Sequence, residues 1–220
     1  MTARTSFDHE LELLGTDMIK MSSLVENAIE SSIHAFKNQD SEEATAIIES
    51  DHKIDEIEKQ IESRCLTLIL RQQPVATDLR TISTALKMVT DLERIGDNAS
   101  DIAEISMRIT GEHIYTMVQH IPQMATIAVQ MVHDAITSFV ETDIEAAREI
   151  MKRDDQVDDL FNCVKKELVT ILRNEEGDPD NAIDFLMIAK YLERIADHAV
   201  NICEWVEFLC TGKHKNTRIV

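Results

Sequence analysis

The sequence predicts an all-α protein built by tandem duplication of a three-helix unit. Three observations carry this expectation. Glycine (5) and proline (3) are scarce among 220 residues, so the chain has few turn formers. Aromatic residues make up 4% while hydrophobic residues reach 44%, which suits long helices packed through Leu, Ile, Val, Ala and Met. The stretch LERIGDNASDIAE at 92–104 returns as LERIADHAVNICE at 192–204.

Six helical stretches separate in order. The first runs from Phe7 to Asn38 on Leu11, Leu14, Met18, Met21, Val25, Ile29 and Phe36. QDSEE interrupts it, and Ser41 is the expected N-cap of the second helix. That helix continues to Arg71 on Ile47, Ile54, Ile57, Ile61, Cys65 and Leu68. QQPVATD then makes a turn, and the third helix covers Val75 to Ile109. Its seam of Ile82, Ala85, Val89, Leu92, Gly96, Ala99 and Ala103 alternates steps of three and four. The fourth helix spans Met117 to Glu141 and stops at Thr142–Asp143. The fifth reaches Arg173, where NEEGDP breaks it. Asp178 as cap and Pro179 at the first helical position start the sixth, which runs to Cys210. The tail GKHKNTRIV is polar and expected to be loose.

The two halves align beyond the opening motif. Phe36, Asp40, Asp51 and Asp55 match Phe139, Asp143, Asp154 and Asp158 at an offset of 103. Glu93, Arg94, Asp97, Ala99, Ile102 and Glu104 recur at an offset of 100. The difference falls within the turn between the second and third helices of the unit, as an internal duplication allows. The expected units are residues 1–112, a first three-helix bundle, and 113–220, a second bundle with the polar tail.

The net charge of −19 argues against nucleic acid and anionic lipid as partners, since both select basic patches. It favours metal cations or basic protein surfaces, and is equally met by a solvated acidic exterior. The four cysteines form no CxxC pair and read as reduced packing residues. No apolar run approaches a membrane span, so no direct membrane insertion is expected.

The repeated stretch carries carboxylates at helical spacing. Glu93, Asp97 and Asp101 follow one another at i, i+4 and i+8 and share one strip of the third helix. If the second and third helices fold back as a hairpin, Asp51 faces Asp97 and Asp55 faces Glu93, because the two pairs have the same midpoint, Pro74. The same reckoning sets Asp154 opposite Asp197 and Asp158 opposite Glu193. Four acids at one level without counter-ions repel and resist ionisation. Oxygen-only clusters suit hard cations such as Mg²⁺, Ca²⁺, Mn²⁺ or iron. One metal site per half is therefore one reading. The other is a solvated acidic face paired with Arg94, Arg194, Lys87 or Lys190.

Weaker candidates fall away. Glu49–His52 forms ExxH, but di-iron bundles need that motif on two helices, and the second half has Lys152–Asp155 there. His198 and His34 read as surface or packing histidines. No phosphate-cradling glycine loop, Ser/His/Asp arrangement or zinc spacing is present, so no enzymatic activity is expected.

The segments KMVTDLERIGDNASDIAE, YLERIADHAVNICEWVEFLCTGK and RQQPVATDLR together resemble the PhoU family. The likeness runs over nearly the whole chain, in order and with the duplication. It implies two three-helix bundles related by a pseudo-twofold axis. It implies a cytoplasmic negative regulator of phosphate uptake and phosphate-starvation signalling. Such a protein acts as an adaptor between the ATPase of the phosphate ABC transporter and a phosphate-sensing histidine kinase, and it leaves room for a homodimer. Some family members hold iron or zinc, and manganese suits the same donors. The family's ExxxD carboxylates correspond to Glu93 and Asp97, and to Glu193 and Asp197. Asp101 extends the first motif, whereas its counterpart is Asn201, so a weaker second site is expected. The alternative function is a metal-dependent hydrolase using the paired clusters.

Overall fold

In the computed structural model, residues 3–109, 118–174, 178–215 and 217–218 are described. The first repeat contains α1 (Ala3–Asn38), α2 (Ser41–Ser50), α3 (His52–Gln72) and α4 (Ala76–Ser106). The second contains α5 (Ile121–Glu141), α6 (Ile144–Met151), α7 (Asp154–Arg173) and α8 (Pro179–Thr211). The strands β1 (Lys213–His214) and β2 (Thr217–Arg218) follow. The expected start of the fourth helix at Met117 and the 112/113 boundary lie outside the described residues.

Aspartates cap α2 and α6, with one correction to the expected cap. Asp40, not Ser41, caps α2: its Oδ1 accepts from the amides of Glu42 and Glu43 at 3.1 and 3.0 Å. Asp143 does the same for α6 at 3.0 Å to Glu145 and Ala146. Each cap contributes about 0.5–2 kcal/mol, and its identical use explains why this aspartate repeats. Gln73 and Thr142 end their helices in the left-handed region, at φ 45° and 56°.

Each long helix expected to follow these caps is broken. In the first repeat the break falls at Asp51, between α2 and α3. There Ser50 Oγ donates to the carbonyl of Ile47 at 3.0 Å, and His52 Nδ1 lies 2.6 Å from that of Glu49. Side chains that engage helix carbonyls in this way bend the backbone. The second repeat turns at Lys152–Arg153, where the amide of Arg153 reaches back only three residues, to Ile150, at 2.9 Å. Asp51 thus stands at the N-cap position of α3, and Asp154 is the first residue of α7. Carboxylates are favoured at such positions by the helix dipole.

The third helix of each unit, α4 and α8, lies at the centre and packs against its counterpart. They run antiparallel: Arg80 near the start of α4 donates to the carbonyl of Leu209 near the end of α8 at 3.0 Å. The remaining helices cover this pair, α1, α2 and α3 on α4, and α5, α6 and α7 on α8. One apolar cluster runs through both repeats, from Phe7 to Leu209. Phe36 of α1 meets Phe185 of α8 edge to face across the repeats at 5.6 Å. Among the described residues no helix is long and apolar enough to cross a membrane.

The tail departs from expectation. Gly212, at φ 72°, ends α8 and turns the chain back. Lys213 and His214 then pair with Arg218 and Thr217 as a short hairpin. The His214 ring stacks on Trp205 at 3.9 Å, giving this polar segment an aromatic surface to rest on. All four cysteines are unpaired. Burial pushes the thiols of Cys65 and Cys203 up to about 12, which leaves them inert.

Candidate functional site

The structure gathers the acids as the hairpin arithmetic requires. In the first repeat, α3 brings Asp51 and Asp55 beside Glu93, Asp97 and Asp101 of α4. Burial first, then the charges of Asp97, Asp55 and Asp101, hold the Asp51 carboxyl above its ordinary range. Burial and Asp97 raise Glu93, with Asp55 and Asp51 adding to it. Burial also raises Asp97, against the opposing charge of Arg94.

Glu58 joins this cluster although the sequence reading passed over it. Burial and the charges of Glu93, Glu62 and Asp55 raise its carboxyl. The signal was available: Glu58 follows Asp51 and Asp55 on the helix, at steps of four and three. Its counterpart, Phe161, breaks the repeat and hides the pattern.

In the second repeat, α7 brings Asp154 and Asp158 beside Glu193 and Asp197 of α8. Burial, then Asp197, Asp158, Asp155 and Glu193, push Asp154 up to about 6. Asp154 Oδ1 is buried without a hydrogen-bond partner among the described residues. Burial and Glu193 raise Asp197, while Lys190 opposes them.

Counter-ions are present but incomplete. Arg94 stands 3.4 Å from Glu93 and 3.5 Å from Asp97. Lys59 is 3.6 Å from Asp55, and Lys190 pairs with Glu193. Arg194 lies over the Tyr191 ring at 5.9 Å, and its charge also reaches Asp97. Lys87 stands over Trp205 at 6.0 Å instead of among the acids. The arrangement therefore combines the two readings of the sequence: coupled carboxylates, and a partial fringe of cations.

Asp101 and Asn201 have further roles where the central helices cross. Asp101 accepts a hydrogen bond from the Tyr191 hydroxyl. At the pseudo-symmetric place, Asp91 Oδ1 accepts from Asn201 Nδ2 at 3.2 Å and lies 2.9 Å from His198 Nδ1. Residues 91 and 101 thus exchange partners with 191 and 201, and each pair has one acid and one donor. His198 is a packing histidine here, bridging α8 to α4. His34 bonds Glu43 at 2.6 Å on an exposed face. His52 of the ExxH motif is taken up by the backbone at the α2–α3 bend.

The donor set suits a hard cation in charge and in chemistry, and the unpartnered Asp154 Oδ1 adds a free acceptor. As the side chains stand, no group of three His, Cys, Asp or Glu among the described residues is arranged to hold a metal ion.

The raised carboxyls have a consequence for stability. The folded state holds the Asp154 proton more tightly than the unfolded chain, whose value is near 3.8. The stabilisation is complete below that value and is lost as pH rises through about 6. Metal-free protein is thus expected to melt several degrees higher at about pH 5 than at about pH 7.5. Asp154→Asn should flatten the dependence and raise Tm at neutral pH. Thermal melts in chelator check both, and a parent Tm that rises toward neutral pH would refute the assignment.

Comparison with known proteins places this geometry in context. The family described as "PhoU domain" matches the chain twice, over residues 18–106 and 121–206. A Clostridium acetobutylicum protein named phosphate-specific transport system accessory protein PhoU homolog is 40% identical over 211 residues, covering 96% of each chain. The Escherichia coli K12 protein named phosphate-specific transport system accessory protein PhoU is 30% identical, covering 94% of this chain and 86% of that one. The crystal structure of the phosphate transport system regulatory protein PhoU from Streptococcus pneumoniae superposes with a TM-score of 0.88 at 29% identity, covering 94% of this chain and 98% of that one. That of PhoU from Pseudomonas aeruginosa gives a TM-score of 0.85 at 32% identity, covering 94% of this chain and 100% of that one.

Proposed function

Because this chain belongs to the PhoU family, we propose that it is an accessory regulator of phosphate-specific transport, acting in the cytoplasm as an adaptor rather than an enzyme. Its partners in this reading are the ATPase of a phosphate ABC transporter and the cytoplasmic part of a phosphate-sensing histidine kinase. It restrains uptake and starvation signalling when phosphate is plentiful. The observation that carries the reading is a likeness over 96% of the chain to a protein named as an accessory of phosphate transport. The charge of −19 supports docking to basic surfaces and speaks against nucleic acid.

The test is reconstitution from purified components. The protein, the ATPase and the kinase's cytoplasmic part should form a complex whose amount changes with phosphate. Absence of any complex with either partner, across phosphate and metal conditions, would refute the adaptor role.

The same reading includes cation binding by the carboxylates. Asp51, Asp55, Glu93, Asp97 and Asp101 would hold a cation in the first repeat, and Asp154, Asp158, Glu193 and Asp197 in the second. Iron, zinc and manganese are the expected identities. A bound cation supplies positive charge that offsets the repulsion among these acids, and binding draws the side chains together. Protein purified without chelator is expected to retain metal by elemental analysis, and Glu93→Gln/Asp97→Asn to lose the first repeat's share. Equal metal content in parent and variant would exclude those two residues as ligands. Added divalent ions should also raise Tm, since they bind the folded state.

A further inference from the structure

The two repeats carry side chains of different size where the first helix, the bend after the second and the third long helix meet. In the first repeat these elements line a half-open cavity of about 260 Å³, whose walls include Ala28, Ser31, Ser50, Asp51, Ile54 and Gly96. The small residues have larger counterparts in the second repeat: Met131 for Ala28, Asp134 for Ser31, Arg153 for Ser50 and Ala196 for Gly96. Met131 is fully buried there. Arg153 Nη1 donates to Asp134 Oδ2 at 2.5 Å and ties the α6–α7 bend to α5. The second repeat therefore fills this region with a guanidinium that the chain itself supplies. The first repeat lacks both members of that pair, keeps the room, and keeps the aspartate at the wall.

We propose that the first-repeat cavity is a binding site for an arginine side chain presented by another polypeptide. The reading goes beyond the regulatory role above and does not depend on metal. Asp51 supplies the anion, and its Oδ1 stands on the inner wall, 3.7 Å from where a Cβ on Gly96 would lie. Ser50 Oγ spends its proton on the Ile47 carbonyl at 3.0 Å and so keeps its lone pairs for an incoming donor. Ser31 offers a second hydroxyl. The apolar side chains of Leu24, Ile47 and Ile54 line the same cavity and suit the methylene stem of an arginine. Of the other charges at the rim, Glu43 is negative and already bonded to His34, and Lys53 is positive and exposed. Asp55, Asp97 and Asp101 add negative charge beside Asp51, so the field favours a cation. A guanidinium is preferred over an ammonium because its fan of donors can reach several acceptors at once and it is less strongly hydrated.

The test uses the full-length protein in chelator, with the peptide acetyl-Gly-Arg-Gly-amide as probe and NMR amide shifts as readout. Saturable shifts are expected at Ser31, Ser50, Asp51 and Gly96. The lysine analogue should bind several-fold more weakly, and the neutral citrulline analogue should not bind. Ser31→Asp/Ser50→Arg installs the second repeat's own pair. It should weaken arginine-peptide binding by at least about tenfold, or 1.4 kcal/mol, while Tm stays at or above that of the parent. Asp51→Asn should weaken binding similarly and serves if the double variant does not fold. Absence of saturable shifts in the parent, or unchanged binding in the folded variants, overturns the proposal. Methylguanidinium binding without peptide binding overturns the polypeptide source. Since every arm is run without metal or transport partners, its failure is separable from that of the proposed function.

Discussion

Leu92→Ala is expected to cost about 2–5 kcal/mol and to leave a single unfolding transition for the whole chain. Leu92 opens the repeated stretch on α4, Leu192 opens its copy on α8, and both are fully buried. Truncation removes transfer free energy and leaves a cavity that long packed helices close only in part. The single transition follows from how the repeats pack. α4 and α8 are each other's neighbours, and one apolar cluster includes residues from every long helix. A destabilised first repeat would expose the buried face of α8, so the second repeat cannot stay folded at full stability. Calorimetry with circular dichroism checks this. Two resolved transitions, with only the lower one moved by Leu92→Ala, would show that each repeat folds on its own.

Gly96→Ala is expected to destabilise the protein, and Ile54→Val to rescue it. A Cβ at position 96 would meet Ile54 Cδ1 at 2.8 Å and Cγ2 at 3.3 Å, so the Ile54 side chain must leave its rotamer and α3 must give by a few tenths of an ångström. Overpacking of this kind costs about 1–3 kcal/mol. Alanine recovers about 1 kcal/mol through helix propensity. The second repeat has already made the paired exchange: Ala196 stands for Gly96, and Val157, which lacks a Cδ1, stands for Ile54. Ile54→Val alone should cost about 0.5–1.5 kcal/mol. The double variant should be more stable than the sum of the single effects predicts, with a coupling of about 0.5–3 kcal/mol. Denaturant unfolding of the four proteins measures it, and strict additivity would refute the contact as the cause. Gly96→Ala should also disturb the acid cluster, because Ile54 and Asp51 lie on the same wall as Gly96.

The carboxylate clusters were legible because they depend on local periodicity. A helix fixes which residues share a strip, and a hairpin turn fixes which strips face each other. Asp51 duly feels Asp97, and Asp154 feels Asp197, more than any other carboxylate. Glu58 is not legible from the duplication, because its counterpart in the second repeat is Phe161. The bends at Asp51 and Lys152–Arg153 were missed because no glycine or proline marks them. In the first repeat the bend involves Ser50 and His52, whose side chains can either engage helix carbonyls or leave them to the backbone.

By itself the sequence determined the helical class, the duplication, the burial of the seam from Ile82 to Ala103, and the meeting of four acids in each half. These follow from spacing along one chain, which sterics and helix geometry convert directly into faces. The tertiary structure decided how α4 and α8 cross, and so why Asp101 meets Tyr191 while Asn201 meets Asp91. It decided that the tail rests on Trp205. It also decided that one repeat keeps a cavity where the other holds Arg153 against Asp134. Those outcomes depend on side-chain volumes and donors brought together from distant segments, and their sum is defined only once the helices have packed.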